Sequence, residues 1–378
     1  MTRILKIGLD VHSTSYTIFA IEPKIGEEDR LLASTRVGAD YKYIVLFIEE
    51  LKMKLGLQDT YDIECGYEAG YLGYSLHDQL SRAGIKCVIL APTTMLTQQG
   101  KRIKTDKRDA YLVAKCLANG GYHAVYVPSK EDAAVKEYIR MRDDHKDAFT
   151  KIKQQIGHFC MHNGFNYPER NWTQKHLIWL RKVEMSPMLR ETLNEYLITY
   201  DELDAKIERL DARIDELARE TPYWERVSKL GCFLGIRTHT ALSLIVETGD
   251  FERFAKGNTY AAYLGLAPGE HSSGTSIHRG GITKAGNSHL RKILIEAAQG
   301  ICKGTVGYKS KEMRKRQNGN SPEVIAYADK ANIRLRRKYY KYIQRGKKRN
   351  VAVTAIAREL ACFVWGMMTD NIITYSPG

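Results

Sequence analysis

Ile4-Leu5-Lys6-Ile7-Gly8-Leu9-Asp10 is an apolar run that ends on an acid, and it reads as the body of a β-strand over Ile4–His12. Ser15–Glu22 and Arg30–Val37 follow after short gaps with a similar Ile, Leu, Val and Tyr bias, so the three form an antiparallel meander. The spacing then changes, because Tyr43, Ile44, Phe47, Ile48 and Leu51 recur at helical intervals within Tyr41–Leu55. A strand at Tyr61–Glu68, a helix at Tyr71–Ala83, a short buried strand at Lys86–Leu90 and a helix at Asp106–Asn119 complete this region. Helical crossovers of this kind add parallel strands to the sheet.

Three sequential strands followed by α-β-α-β-α is the element order of the ribonuclease H-like fold, and acids fall at its strand ends. Asp10 ends the first apolar run, Glu68 closes Tyr61–Glu68, and Asp106 and Asp109 sit three apart in Lys104-Thr105-Asp106-Lys107-Arg108-Asp109-Ala110. Two strand-end carboxylates and a pair on one helical face supply the hard oxygen ligands that Mg2+ requires, and a two-ion site stabilises in-line phosphoryl displacement. Each acid also has an ordinary reading: Asp106, for one, would cap the helix it opens. Glu64 competes with Glu68, since alternation puts residues 64, 66 and 68 on one strand face. Glu68 is the residue chosen, being nearer the C-terminal strand end where open α/β sheets hold their ligands.

From Glu131 to about Glu220 the pattern is almost wholly helical. Tyr196, Tyr200, Leu203, Ile207, Leu210, Ile214 and Leu217 step by four and three in turn, a heptad seam flanked by charges such as Asp204, Glu208 and Arg213. An intermolecular coiled coil is the preferred reading and an intramolecular helical hairpin the alternative. The glycine turn within Leu230–Ala241 resembles a helix-hairpin-helix element, which offers backbone N–H groups to a phosphate, or it is a plain helix–helix corner. The chain therefore divides into an α/β domain over 1–129, a helical segment over 130–225 and a mainly helical domain over 226–378.

The last of these contains the loop Leu264-Gly265-Leu266-Ala267-Pro268-Gly269-Glu270-His271-Ser272-Ser273-Gly274, which runs on to Thr283-Lys284-Ala285-Gly286-Asn287. Its glycines permit close approach to a phosphate, which Arg279, Lys284 and Arg291 would neutralise. Asn287 or Ser288 caps the following helix, whose positive N-terminus faces the same loop. A serine here attacks a phosphodiester only if a base or metal activates it. From Lys303 to Arg349 there are 16 Lys and Arg against three acids, interleaved with Tyr308, Tyr327, Tyr339, Tyr340 and Tyr342. Phosphate pairing beside tyrosine stacking suits nucleic acid, with Arg334, Arg336, Arg337, Lys338 and Tyr339 as candidate contacts. His158-x-Cys160-x-His162 is not a zinc site by spacing, since on a helix the cysteine points away from both histidines.

Composition agrees with a polyanionic partner. The net charge is +14 over 378 residues, with 43% hydrophobic content that is ordinary for a soluble protein. Seven scattered cysteines without a Cys-x-x-Cys pair fit reduced thiols in a cytoplasm. The apolar segment Val351–Met368 is interrupted by Arg358 and Glu359, so it reads as a packed helix and not a membrane span.

Gly8-Leu9-Asp10, Tyr67-Glu68-Ala69-Gly70, Thr105-Asp106-x-x-Asp109-Ala110, Leu264-Gly265-Leu266-x-Pro268, and Ser273-Gly274 with Thr283-Lys284-Ala285-Gly286 together resemble the DEDD transposases of the insertion-sequence "one-ten" family, guided by a bridge RNA. The resemblance spans nearly the whole chain. It implies a RuvC-like N-terminal domain, a coiled-coil linker and a C-terminal transposase domain. It also implies Mg2+ on Asp10, Glu68, Asp106 and Asp109, and Ser273 as the nucleophile that forms a phosphoserine link to a cleaved strand. The implied partners are double-stranded donor and target DNA, the guide RNA and other copies of the chain in a homotetramer. Its active sites would join the acids of one protomer to the serine of another, in the cytoplasm on the nucleoid. Two departures stand out: Gly269-Glu270 replaces the arginines that often follow the proline, and Ser272 precedes Ser273 as a second hydroxyl. The runner-up function is a Holliday-junction-resolvase-like metal-dependent endonuclease, and a third class only organises nucleic acid. Covalent attachment to DNA separates the first from the other two.

Overall fold

The computed structural model describes residues 2–24, 26–56, 60–70, 72–95, 105–273 and 276–372, with backbone alone at Thr93 and over 270–279. It forms two compact units, Met1–Val127 and Pro128–Gly378.

In the first unit β1 (Thr2–Val11), β2 (Ser15–Glu22) and β3 (Arg30–Gly38) are followed by α1 (Tyr41–Leu55), β4 (Thr60–Glu68), α2 (Ser75–Arg82), β5 (Lys86–Leu90) and α3 (Asp106–Asn119). The sheet runs β3-β2-β1-β4-β5. The meander pairs antiparallel, while β4 lies parallel to both β1 and β5. Alternation along β1 explains its two faces. Leu5, Ile7 and Leu9 are fully buried in one cluster with Ile44 and Ile48 of α1 and Leu76 and Leu80 of α2. Lys6, Gly8 and Asp10 take the opposite face, where α3 lies. A Cβ on Gly8 would fall 1.9 Å from the Ala110 carbonyl oxygen and 2.4 Å from the Ala114 nitrogen. The helix therefore rests directly on strand backbone, and only glycine permits that approach. The helix expected from Tyr71 begins at Ser75, and Tyr71 itself lies outside the described residues.

The second unit opens with α4 (Lys130–His162), α5 (Gln174–Lys182) and α6 (Pro187–Leu217). Arg142 Nε donates to Asp211 Oδ1 at 2.6 Å, and the Phe149 and Tyr200 rings lie 4.8 Å apart, so α4 and α6 run antiparallel. This corrects the preferred reading of the heptad seam. Tyr200, Ile207, Leu210 and Ile214 are buried within the same chain, Tyr200 and Ile207 clustering with Phe149, Ile152 and Ile156 of α4. The seam thus makes the intramolecular hairpin, because α4 supplies an apolar stripe of matching length. Ile139 of α4 and Ile214 of α6 join the core of the following helices, which roots the hairpin in it.

That core is built from α7 (Trp224–Gly231), α8 (Thr238–Thr248), α9 (Gly257–Tyr263), α10 (Ser288–Ile301), α12 (Pro322–Gln344) and α13 (Arg349–Met368), and the ribbon of β6 (Pro268–Ser273) and β7 (Ser276–Ile282) and the short α11 (Lys311–Gln317) complete the unit. Between α7 and α8 the glycine turn is a buried corner and not an open phosphate cradle. The Leu234 N–H donates to Asn332 Oδ1 at 2.8 Å, and a Cβ on Gly235 would fall 2.0 Å from the Ala297 carbonyl oxygen. The α13 helix is long and apolar enough to cross a membrane by length and composition. It is instead a packed core helix: Val353, Ile356, Leu360, Phe363 and Val364 are buried, and Glu359 accepts from Arg334 and Lys338 of α12.

Candidate acidic site and serine ribbon

Asp10 is the penultimate residue of β1, Glu68 the last of β4, and Asp106 and Asp109 fill the first turn of α3. Because β1 and β4 are parallel and in register, Leu9 opposite Tyr67, the two strand ends finish side by side. Gly8 seats α3 over that end, and Val113 and Leu117 of α3 pack with Leu90 of β5. Thr105, and not Asp106, caps the helix by accepting from the Arg108 N–H, which leaves the Asp106 carboxylate clear of that duty. A cleft of about 230 Å³ results, with Asp10, His12, Glu68 and Asp109 among apolar walls of Leu9, Val11, Leu72 and Val113.

Burial raises the Asp10 pKa; His12 opposes the rise, and the like charges of Asp106 and Asp109 add to it. Asp10 Oδ2 is buried without an aligned hydrogen bond, although His12 Nε2 lies 3.2 Å away. Single donor atoms of Asp10, His12 and Asp106 all lie within 4.8 Å of one another. A buried carboxylate oxygen whose nearest donor is a poorly aligned imidazole, set among further carboxylates, is what a divalent cation would satisfy. The residues present fit such an ion. Glu64 is differently placed: Lys6 and Lys86 reach it at 2.6 and 2.8 Å. Burial alone would raise its pKa, but the two lysine hydrogen bonds outweigh that and hold the carboxyl below its usual range.

In the second unit, β6 and β7 pair antiparallel, with Ser272 opposite Ile277 and Ser273 opposite Ser276 at the far end. The side chains of Ser272, Ser273 and Arg279, and all of Gly274, lie outside what is described. The base of the ribbon is tightly built. Gly265 and Gly286 both have φ of +67°, and a Cβ on them would fall 2.3 Å from the Ala285 oxygen and 1.8 Å from the Tyr263 oxygen. These glycines let two backbone segments of the same chain pack closely, which corrects their reading as phosphate contacts. Asn287 is the cap of α10, accepting from the Leu290 N–H at 3.1 Å.

A family model described as the transposase IS116/IS110/IS902 family matches residues 229–313, and an IS110 DEDD transposase model matches residues 7–160. The transposase for insertion sequence element IS1533 of Leptospira borgpetersenii is 30% identical over 92% of this chain and 99% of its own length. The chain belongs to the IS110 transposase family. The y4qE protein of Sinorhizobium fredii, which bears a transposase name, is 34% identical over 80% of this transposase and 75% of its own length. The pilin gene-inverting protein of Moraxella bovis is 26% identical over 61% of this chain and 63% of its own. A DEDD-type transposase fold suggests a divalent metal, and the first unit of this transposase has an acidic cluster that could hold one.

Several basic residues of the transposase have structural duties that composition does not disclose. Arg336 is 5% exposed and donates to the carbonyls of Ile301 and Thr305 at 2.7 and 2.6 Å. Tyr339 is 9% exposed. Both are thus corrected from nucleic-acid contacts to core residues. Arg291 holds the Leu264 and Ala285 carbonyls, each at 3.0 Å, and Arg334 and Lys338 hold Glu359. Lys284 and Arg337 remain exposed. Sequence reasoning passed over His12, although its position two residues past Asp10 on a strand face was the available signal. It also passed over Asp143 of α4, whose carboxylate lies 2.9 Å from His239 Nε2 and 3.5 Å from His289 Nε2, at the N-termini of α8 and α10.

Proposed function

We propose that the chain is an RNA-guided DNA transposase that cleaves, exchanges and rejoins DNA strands, with Mg2+ on Asp10, Glu68, Asp106 and Asp109 and with Ser273 as the nucleophile. The N-terminal unit is RuvC-like in this reading, the partners are donor and target DNA, a bridge RNA and three further copies of the chain, and the work is done in the cytoplasm. The single observation that supports it is one cleft lined by Asp10 of β1, Glu68 of β4 and Asp109 of α3, at one end of a mixed sheet of order β3-β2-β1-β4-β5. The ion would polarise phosphate and hydroxyl oxygens. The serine oxygen would bond to phosphorus as a deoxyribose oxygen leaves, conserving the bond energy for rejoining.

The experiment follows covalent attachment of protein to labelled DNA in the presence of co-purified RNA. Asp10→Asn should fold and bind nucleic acid but cut no strand, and Ser273→Ala should bind DNA without forming an adduct. Full recombination by Asp10→Asn refutes the acidic site. An adduct that survives Ser273→Ala and vanishes in Ser272→Ala moves the nucleophile one residue back, and cleavage with no adduct in the unaltered protein points to the resolvase-like nuclease.

A further inference from the structure

His12 lies beyond the four acids, yet its geometry is that of a fifth donor. It follows β1 directly, and its backbone N–H donates to the Ser15 carbonyl at 3.0 Å, which closes the β1–β2 turn and fixes its backbone. On an alternating strand it shares the face of Asp10, the face that α3 covers. Its Nε2 lies 3.2 Å from Asp10 Oδ2 and 3.9 Å from Asp106 Oδ1. Arg36 Nη1, 3.7 Å from Asp106 Oδ2, approaches the other oxygen of that carboxylate.

Around a six-coordinate ion with bonds of about 2.0–2.1 Å, neighbouring donors stand about 3 Å apart and opposite donors about 4 Å. The two imidazole separations fall within those limits. Asp10 Oδ2 is buried, and its approach to His12 Nε2 is not well aligned for a hydrogen bond, so both atoms are free to turn toward one ion. Resting on the reading of these acids as the metal site, we propose that His12 is a further ligand there, supplying one imidazole nitrogen to an otherwise all-oxygen set. Carboxylate sets suit Mg2+, whereas a nitrogen donor favours transition ions. The site is therefore built to hold Mn2+ more tightly than an all-carboxylate site would, and its preference for Mn2+ over Mg2+ depends on His12.

The test uses the full chain and Mn2+ as probe, read by electron paramagnetic resonance, with Mg2+ as competitor. The expected result is Mn2+ whose binding is lost in Asp10→Asn and whose pulsed spectrum carries a ¹⁴N coupling that disappears in His12→Ala. Mn2+ affinity in His12→Ala should fall on the order of tenfold, the lower end for loss of a residue supporting a metal site, with a smaller change for Mg2+. His12 is 46% exposed, so its replacement leaves the unit folded, which circular dichroism checks. Asp10-dependent Mn2+ with the same spectrum and affinity in His12→Ala overturns the role of His12 and leaves the metal site standing. No Asp10-dependent Mn2+ at all overturns the metal site, and this proposal with it.

Discussion

Gly8 decides more about the acidic site than any acid does, because it sets how far α3 sinks onto the sheet. Gly8→Ala would drive a methyl into the Ala110 carbonyl, 1.9 Å away, and the helix must lift. Unfolding free energy should fall by roughly 1–3 kcal/mol, the usual cost of overpacking, and DNA cleavage should fall with it as Asp106 and Asp109 are carried off Asp10. Denaturant titration and a cleavage assay check both. The two glutamates of β4 should divide cleanly. Glu64→Gln weakens the bridges to Lys6 and Lys86 and should lower the melting temperature while cleavage persists; Glu68→Gln should do the reverse. The placement of Asp10 and Glu68 at strand ends was legible in the sequence because strand ends can be read from alternation. The role of Gly8 was not, since a glycine does not announce which backbone will approach it.

Elements show the same division between pattern and partner. The heptad spacing of α6 was plain, but a seam does not encode which helix fills it, and α4 lies some fifty residues earlier at their facing points, as Phe149 and Tyr200 show. Leu210 is 6% exposed in that hairpin, so Leu210→Ala should cost about 2–5 kcal/mol in thermal or denaturant unfolding. A change in particle mass without loss of stability would instead return the seam to an intermolecular role. Along α12 and its C-cap, Arg337, Lys341 and Arg345 recur every four residues and are exposed, whereas Arg336 is turned inward. Replacing the three by alanine should weaken duplex binding regardless of sequence and flatten its salt dependence by about 0.9 per lost phosphate contact. Arg336→Ala should unfold the protein first. Composition marked this helix as basic, but neighbouring arginines with opposite fates look alike in a charge count.

For the whole molecule, a net charge of +14 favours polyanions and opposes compaction, so internal carboxylates must hold the helical unit together. For Glu247 and Asp143 burial alone would raise the pKa, yet their partners hold both below the usual range. Arg140 and Asn287 do this for Glu247, His239 and Arg142 for Asp143. A depressed carboxyl stabilises the fold above its unfolded value of roughly 4, and that stability is lost as pH falls through the folded pKa. His176 and His289 are held low by burial, so protonation works against the fold once pH drops below the unfolded value of about 6.5. Melting temperature should therefore decline gently from near pH 6.5 and steeply below about pH 4. Glu247→Gln should be less stable at neutral pH and show a flatter acid limb. Unchanged curves would remove Glu247 from this role.

The ribbon of β6 and β7 has a mechanical consequence. Clamped at Gly265 and Gly286, it is a boom whose length fixes how far the Ser273 backbone stands from that base. At about 3.4 Å of rise per residue, two residues added to each strand would carry the serine outward by about 7 Å and keep its facing. One residue added to each would turn the serine to the other side. If Ser273 acts as proposed, natural or engineered changes in reach should therefore come in even steps, and odd ones should leave a well-folded protein that forms no covalent adduct with DNA.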